Sequence, residues 1–158
     1  MLFVETLIII IAAALIFTLY VHKKRKLRNI KLKQFNNIKD PYEFEIFVGE
    51  ILKNLGYKVV KTRKSRDFGA DILLKKGKRK IVIQVKFWKN KVGEEALKEV
   101  IASSYVYGAR ECAVITNSCF SSNVMDLSKK LIGKGQLNRV ILIDGDKLRR
   151  IVEGRRLL

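Results

Sequence analysis

The sequence predicts an α/β domain built around a mixed β-sheet, preceded by one transmembrane helix. Two observations predict the domain: a β-hairpin over residues 70 to 87, and two later apolar strands that alternate with amphipathic helices. The uninterrupted apolar run at residues 2 to 21 predicts the transmembrane helix. We therefore expect a transmembrane helix at residues 1–22, a basic juxtamembrane linker at 23–39 and a globular domain at 40–158.

The N-terminal apolar run contains one charged residue, Glu5. About 20 helical residues, at 1.5 Å each, span the roughly 30 Å hydrocarbon core of a bilayer. A basic cluster begins at Lys23, and basic flanks stay on the cytoplasmic side. We expect a single-pass cell-membrane anchor, with the N-terminus outside and the remaining chain in the cytoplasm. A cleavable signal peptide is the alternative, but the run lacks a basic segment before it and a small-residue cleavage site after it.

The charge of the chain is strongly positive. Its 158 residues include 33 Lys and Arg against 15 Asp and Glu, a formal net charge of +18. Residues 23 to 39 carry eight of the basic residues and no acidic one, and residues 40 to 158 carry the other 25 with 14 acidic residues. A domain this basic favours a polyanionic partner, of which nucleic acid is the commonest. A merely soluble basic surface is the alternative for the domain. The linker is expected to be a positive flank attracted to anionic lipid, with a DNA-contacting arm as the alternative.

The scarcity of cysteine and histidine excludes several chemistries. Cys112 and Cys119 are not in a CxxC pair, so neither a zinc site nor a disulfide framework is expected. Cys112 is expected to pack as a small apolar residue at the start of a strand. The single histidine, His22, adjoins the apolar run. A Ser-His-Asp hydrolase and a histidine-based nuclease are therefore excluded.

The first helix of the domain is predicted between Asp40, its cap, and Gly56, its end, with Glu43 closing a capping box. Its apolar residues recur at helical spacing. At 100° per residue, Glu43 and Glu50 point away from the apolar stripe, whereas Glu45 lies on its edge. Glu45 is thus the glutamate of this helix that can reach a site on the sheet. An ordinary boundary position is the alternative for it.

A hairpin turning near Gly77 follows. If it is symmetric, Leu74 pairs with Ile81 and Asp71 faces Gln84. Because side chains alternate along a strand, Asp71, Gln84 and Lys86 then share one face near the open end of the hairpin. The opposite face is wholly apolar and consists of Ile72, Leu74, Ile81, Ile83, Val85 and Phe87.

The remaining elements follow from periodicity and turn residues. They are a strand at 57–61, a loop at 62–68, a helix at 93–105, a strand at 111–116, a helix at 121–132, a strand at 140–143 and a terminal helix around 147–152.

The polar residues of the hairpin suit a hard divalent cation. Mg²⁺ takes oxygen ligands, usually one or two carboxylates with water and phosphate. Asp71 and Glu45 can supply carboxylates, Gln84 a side-chain carbonyl, and Lys86 a cation that orients the attacking water and offsets phosphate charge. Such a set is sufficient for phosphodiester hydrolysis without a histidine.

These residues also carry a family resemblance. Over residues 42 to 152 the sequence resembles the PD-(D/E)xK nuclease core, in particular the Mrr-like branch of type IV restriction endonucleases. The matching stretches are Phe44-Glu45, Leu55-Gly56-Tyr57, Asp67-Phe68-Gly69-Ala70-Asp71, Gln84-Val85-Lys86, Val92-Gly93 and Val114-Ile115-Thr116-Asn117. Ala70 departs from the proline that the wider superfamily often has there.

The resemblance implies a restriction-endonuclease-like αβββαβ sandwich and a DNA endonuclease that depends on Mg²⁺ or Mn²⁺, with a role in restriction of foreign DNA. It implies Asp71, Gln84 and Lys86 as the catalytic set, with Glu45 as their helical partner and Asp71, Gln84 and Glu45 as metal ligands. Double-strand cleavage would need a homodimer, because one site cuts one strand.

Basic residues near the hairpin are expected to contact DNA phosphates. They are Lys61, Arg63, Lys64, Arg66, Lys75, Lys76, Lys78, Arg79 and Lys80. Two other functions fit the sequence less completely. A non-catalytic, membrane-tethered nucleic-acid-binding protein keeps the charge without the site, and a lipid-surface scaffold uses only the basic linker.

Overall fold

The computed structural model of the protein describes residues 2–61, 69–133 and 137–154. Over these residues the chain forms five helices and five strands. They are α1 (Leu2–Asn37), α2 (Pro41–Asn54), β1 (Lys58–Lys61), β2 (Ile72–Lys76), β3 (Arg79–Lys86), α3 (Glu94–Val106), β4 (Glu111–Thr116), α4 (Ser122–Gly133), β5 (Arg139–Ile143) and α5 (Gly145–Val152).

The five strands form one mixed sheet in the order β1-β2-β3-β4-β5. The β1–β2 and β2–β3 pairs are antiparallel, and the β3–β4 and β4–β5 pairs are parallel. Leu74 pairs with Ile81 and Lys75 with Lys80, so the predicted hairpin register is confirmed. The strand β3 is therefore the centre of the sheet, and its last residues, Gln84 to Lys86, continue beyond the β2 ladder and pair with β4.

Helices cover both faces of this sheet. One core contains Leu73, Val82 and Cys112 with residues of α3 and α4. The other contains Ile72 and Ile83 with residues of α2 and α5. The alternation expected for the hairpin is confirmed, and the predicted α/β sandwich around a mixed sheet is the observed architecture.

The start of α2 follows from its capping residues. Asp40 Oδ1 accepts hydrogen bonds from the backbone N–H groups of Tyr42 (2.9 Å) and Glu43 (3.0 Å), as an N-cap carboxylate does. Glu43 Oε2 accepts from the Lys39 N–H at 3.3 Å, so the reciprocal bond reaches one residue further back than a capping box. The helix places Phe44, Phe47 and four other buried residues against the sheet and α5.

The basic segment expected as a linker is helical. Helix α1 continues without a break from the apolar run to Asn37. Near its C-terminal end, Leu32 and Phe35 pack against the cluster of Phe47, Ile51 and Val152. The Phe35 ring lies 5.6 Å from that of Phe47, centroid to centroid. The basic segment therefore continues the helix of the apolar run at one end and packs against the domain at the other.

The apolar half of α1 is exposed. Ile9, Ile16 and Phe17 are each about two-thirds exposed, at 66%, 67% and 66%. Among the described residues this is the helix whose length and composition suffice to cross a membrane, a test that an N-terminal signal sequence also passes. Its apolar surface is thus available to lipid.

Cys112 packs inside the sheet as expected. It is fully buried, whereas Cys119 is exposed. Burial raises the pKa of the Cys112 thiol to about 12. The thiol therefore stays neutral at physiological pH and acts as a small apolar side chain.

Candidate active site

Asp71 lies at the open end of the hairpin, directly before β2. Its backbone N–H donates to the Ile83 carbonyl at 3.0 Å, one residue out of the Ile72–Ile83 register at which the β2–β3 ladder ends. Its Oδ2 accepts from the Val85 N–H at 2.6 Å. The carboxylate is half-buried and lies against the peptide that joins Gln84 to Val85. The predicted proximity of Asp71 to the Gln-Val-Lys stretch is thus present.

Gln84 lies deep in the central strand. It pairs with Val114 of β4 and is 7% exposed. Its side-chain Oε1 is fully buried and has no hydrogen-bond partner among the residues that the structure describes. A buried acceptor without a donor costs about 1–3 kcal/mol. A bound cation or an ordered water is among the groups that satisfy such an acceptor.

Lys86 is the last residue of β3 and follows Gln84 on the same face. Its side chain is 19% exposed, and its Nζ lies 2.6 Å from Glu99 Oε2 on α3. That oxygen has no partner in hydrogen-bond geometry within the described part of the chain, so the contact is an ion pair rather than an aligned hydrogen bond. The ammonium group is therefore held near the end of the strand instead of extending into solvent.

Glu45 lies on α2, on the other side of the sheet from α3. The Phe44 ring lies 5.3 Å from that of Phe87, which directly follows β3. The N-terminal part of α2 thus lies at the end of β3 where Lys86 is found. Glu45 is half-buried there, whereas Glu43 and Glu50 are exposed, as the helical spacing predicts.

The chain that carries this hairpin and lysine matches a known protein family. The Mrr_cat restriction endonuclease family matches residues 36–152, which is most of the chain. The chain belongs to this family. The Mrr-like resemblance inferred from the sequence motifs is thereby confirmed.

Three known proteins are similar to this chain in sequence or in fold. The type IV methyl-directed restriction enzyme EcoKMrr of Escherichia coli (strain K12) is 28% identical over 116 residues, covering 68% of this chain and 36% of that enzyme. The DNA modification-dependent restriction endonuclease AspBHI superposes with a TM-score of 0.57 at 16% identity, over 83% of this chain and 35% of that one. AF1548, a protein of unknown function, gives 0.52 at 16% identity, over 70% and 65%. The chain thus spans about a third of the curated relative, and the structural likenesses show the fold.

The oxygen atoms at the end of β3 fit a hard divalent cation. Asp71 supplies a carboxylate, and Gln84 supplies the buried carbonyl oxygen that no described group satisfies. Within residues 2–61, 69–133 and 137–154, no three His, Cys, Asp or Glu side chains cluster as a metal site. Mg²⁺ does not require three, because it binds through one or two carboxylates together with water and substrate phosphate.

The basic residues expected to contact DNA have different environments. Arg63, Lys64 and Arg66 lie outside the described residues, and of Lys61 and Lys76 only the backbone is described. Lys75, Lys78 and Lys80 are exposed at the closed end of the hairpin, and Lys80 Nζ donates to the Tyr107 carbonyl at 3.2 Å.

Arg79 is less available than its neighbours in the hairpin loop. Its guanidinium donates two hydrogen bonds to the Glu111 carboxylate, and this hydrogen bonding raises the pKa of Arg79. A phosphate would therefore compete with Glu111 for this group. At about 3.3 Å per residue, the seven steps from Arg79 to Lys86 separate the hairpin loop from the candidate site by about 23 Å. One phosphate group could therefore not contact both the loop and the candidate site.

Two features of the site were missed by the sequence reasoning. Glu99 lies on α3, 13 positions beyond Lys86, and nothing in the local sequence marks it as the partner of that lysine. Asn117 Oδ1 accepts from the Trp88 N–H at 2.8 Å and so fixes the chain just beyond β3. The sequence did contain a signal for Asn117, because this residue ends one of the stretches that resemble the Mrr-like family, but that signal did not indicate its bond to Trp88.

Proposed function

We propose that this chain is a membrane-anchored, cytoplasm-facing DNA endonuclease that hydrolyses phosphodiester bonds with Mg²⁺ or Mn²⁺. One observation carries the proposal. In a chain of the Mrr_cat restriction endonuclease family, the Asp71 carboxylate bonds to the Val85 N–H, between Gln84, whose buried oxygen has no partner among the described residues, and Lys86, the last residue of β3. The negative carboxylate and the buried acceptor suit a cation, and the positive ammonium group suits a phosphate and an attacking water.

Each residue has a distinct role in this proposal. Asp71, Gln84 and Glu45 hold the cation, which supplies Lewis-acid polarisation and an activated water when bound. Lys86 orients that water and offsets the negative charge that develops on the phosphate. Burial of Gln84 keeps competing water away from its oxygen.

The substrate proposed is duplex DNA, with modified DNA as the first kind to examine. EcoKMrr is described as methyl-directed and AspBHI as DNA modification-dependent. Restriction of foreign DNA at the membrane follows as the proposed role, and double-strand cleavage would require two protomers.

The residues proposed to contact DNA phosphates are Lys61, Arg63, Lys64, Arg66, Lys76, Lys78 and Arg79. Replacing the exposed Lys78 by Ala should remove one phosphate contact. DNA affinity should then fall less steeply with salt, and the magnitude of the slope of log affinity against log salt concentration should decrease by about 0.9.

Metal removal tests the chemistry. The full-length protein in detergent is incubated with unmodified and methylated supercoiled plasmid, with Mg²⁺, with Mn²⁺ or with excess EDTA. We expect nicked or linear product with a metal and none with EDTA. Binding of both plasmids without incision under any divalent ion would instead support the non-catalytic, membrane-tethered nucleic-acid-binding protein.

Membrane anchoring has its own prediction. Because the apolar half of α1 is exposed, the full-length chain should remain in the membrane pellet after carbonate extraction and enter solution with detergent. In inside-out vesicles, protease should digest the domain and leave the anchor protected. Recovery of the intact chain in the soluble fraction without detergent would refute the anchor.

A further inference from the structure

Helix α3 presents three glutamates whose environments differ. Glu94 and Glu95 lie 3.8 Å and 3.6 Å from Lys98 on the same helix, in exposed pairs that contribute little to stability. Glu99 instead reaches across to the sheet, and its Oε2 is fully buried 2.6 Å from Lys86 Nζ. Glu99 is thus the acid of α3 that is directed at the candidate active site.

The helix is fixed in place at Glu99. Val100, the next residue, is fully buried in the core shared with the sheet. Ser103 is also fully buried, and its Oγ donates to the Glu99 carbonyl at 2.9 Å. The position of the Glu99 backbone is therefore set by packing and hydrogen bonding that do not depend on Lys86.

The turn before Asp71 rests on the same point of α3. Gly69 has φ +80°, and a Cβ there would lie 3.3 Å from both Glu99 Cβ and Ser103 Oγ. Such spacing leaves little room for a side chain. Glu99 consequently contacts the strand that ends in Lys86 and also the turn that leads to Asp71.

We propose that Glu99 is a positioning residue that holds the Lys86 ammonium at the phosphate-facing end of β3. Lys86 has a flexible four-carbon stem, which loses rotamer entropy when it is held in one geometry. The ion pair restricts that stem before DNA arrives. The inference rests on the proposed catalytic role of Lys86, and Glu99 itself contacts neither DNA nor the cation.

The contact can be tested without any cleavage. A water-soluble carbodiimide joins an amine and a carboxylate only where they touch, with net loss of water. Treatment of the full-length protein in detergent should give a Lys86–Glu99 cross-linked peptide by mass spectrometry. The Glu99→Gln variant should give none, and Glu95→Gln, a matched change on the same helix, should leave the cross-link intact. Absence of the cross-link from the unchanged protein would overturn the inference even if the protein cuts DNA.

The role is tested by the kinetics of plasmid incision. Glu99→Gln should lower kcat by about 10- to 100-fold, with KM for DNA and the half-saturating Mg²⁺ concentration unchanged, because displacement of a catalytic group by about 1 Å has effects of this size. Glu99→Asp, which keeps the charge but is one methylene shorter, should recover part of the loss.

The alternatives give different kinetic results. A Glu99→Gln variant whose kcat is restored at higher Mg²⁺ would make Glu99 a metal ligand, and an unchanged kcat would make the pair structural. Either result would overturn the positioning role. A cross-link without DNA incision by the unchanged protein would retain the pairing and refute the proposed function instead.

Discussion

Replacing Asp71 by Asn should reduce the rate of DNA incision by about 10³-fold or more. The carboxylate is a proposed metal ligand, and loss of metal-assisted charge stabilisation is worth several kcal/mol, where each 1.4 kcal/mol is tenfold. The asparagine side chain still has an oxygen to accept from the Val85 N–H, a bond of 2.6 Å in the present structure. The hairpin should therefore stay folded, and DNA affinity measured in EDTA should be unchanged.

Asp126→Asn is the matched control for this change. Asp126 is exposed on α4, and its Oδ1 lies 4.0 Å from Lys129 Nζ. We expect this variant to incise plasmid at the parental rate. An Asp71→Asn protein that is folded, binds DNA and cuts at the parental rate would remove Asp71 from the site.

Replacing Gln84 by Leu should separate activity from stability. Leucine has nearly the same size but no oxygen, so incision should fall by about 10²-fold or more through loss of a metal ligand. The buried Oε1 has no partner among the described residues, and removing such an acceptor relieves a cost of about 1–3 kcal/mol. The thermal midpoint of unfolding, followed by circular dichroism, should therefore be equal or higher.

Gln84→Glu is the informative companion of the leucine variant. It restores an oxygen ligand and adds a negative charge, so metal-dependent incision should persist. A leucine variant that cuts at the parental rate, or a glutamate variant that is inactive although folded, would contradict ligation through this oxygen. A leucine variant of much lower stability would show instead that Gln84 has a structural partner.

Much of the hairpin and its faces could be predicted because their determinants are local. A turn at Gly77 and alternation of side chains fix both the Leu74–Ile81 pairing and the face on which Gln84 and Lys86 lie. The cap of α2 is equally local, because Asp40 bonds to backbone groups two and three residues away.

The contacts that escaped prediction join distant parts of the chain. Glu99 resembles any other acid of an amphipathic helix until the fold brings Lys86 beside it. Arg79 looked free for phosphate because its partner, Glu111, lies on a different strand. The packing of Leu32 and Phe35 was hidden within a segment whose positive charge dominated its interpretation.

Mapping the bound cation would test the central claim most directly. Fe²⁺ placed in a divalent-cation site, with ascorbate and peroxide, generates hydroxyl radicals that cut the polypeptide next to the metal. We expect cuts near residue 71 and between residues 84 and 86 of the full-length protein, suppressed by excess Mg²⁺ and absent from Asp71→Asn. Cuts elsewhere in the chain, or an unchanged pattern in Asp71→Asn, would contradict a metal-dependent active site at the end of β3.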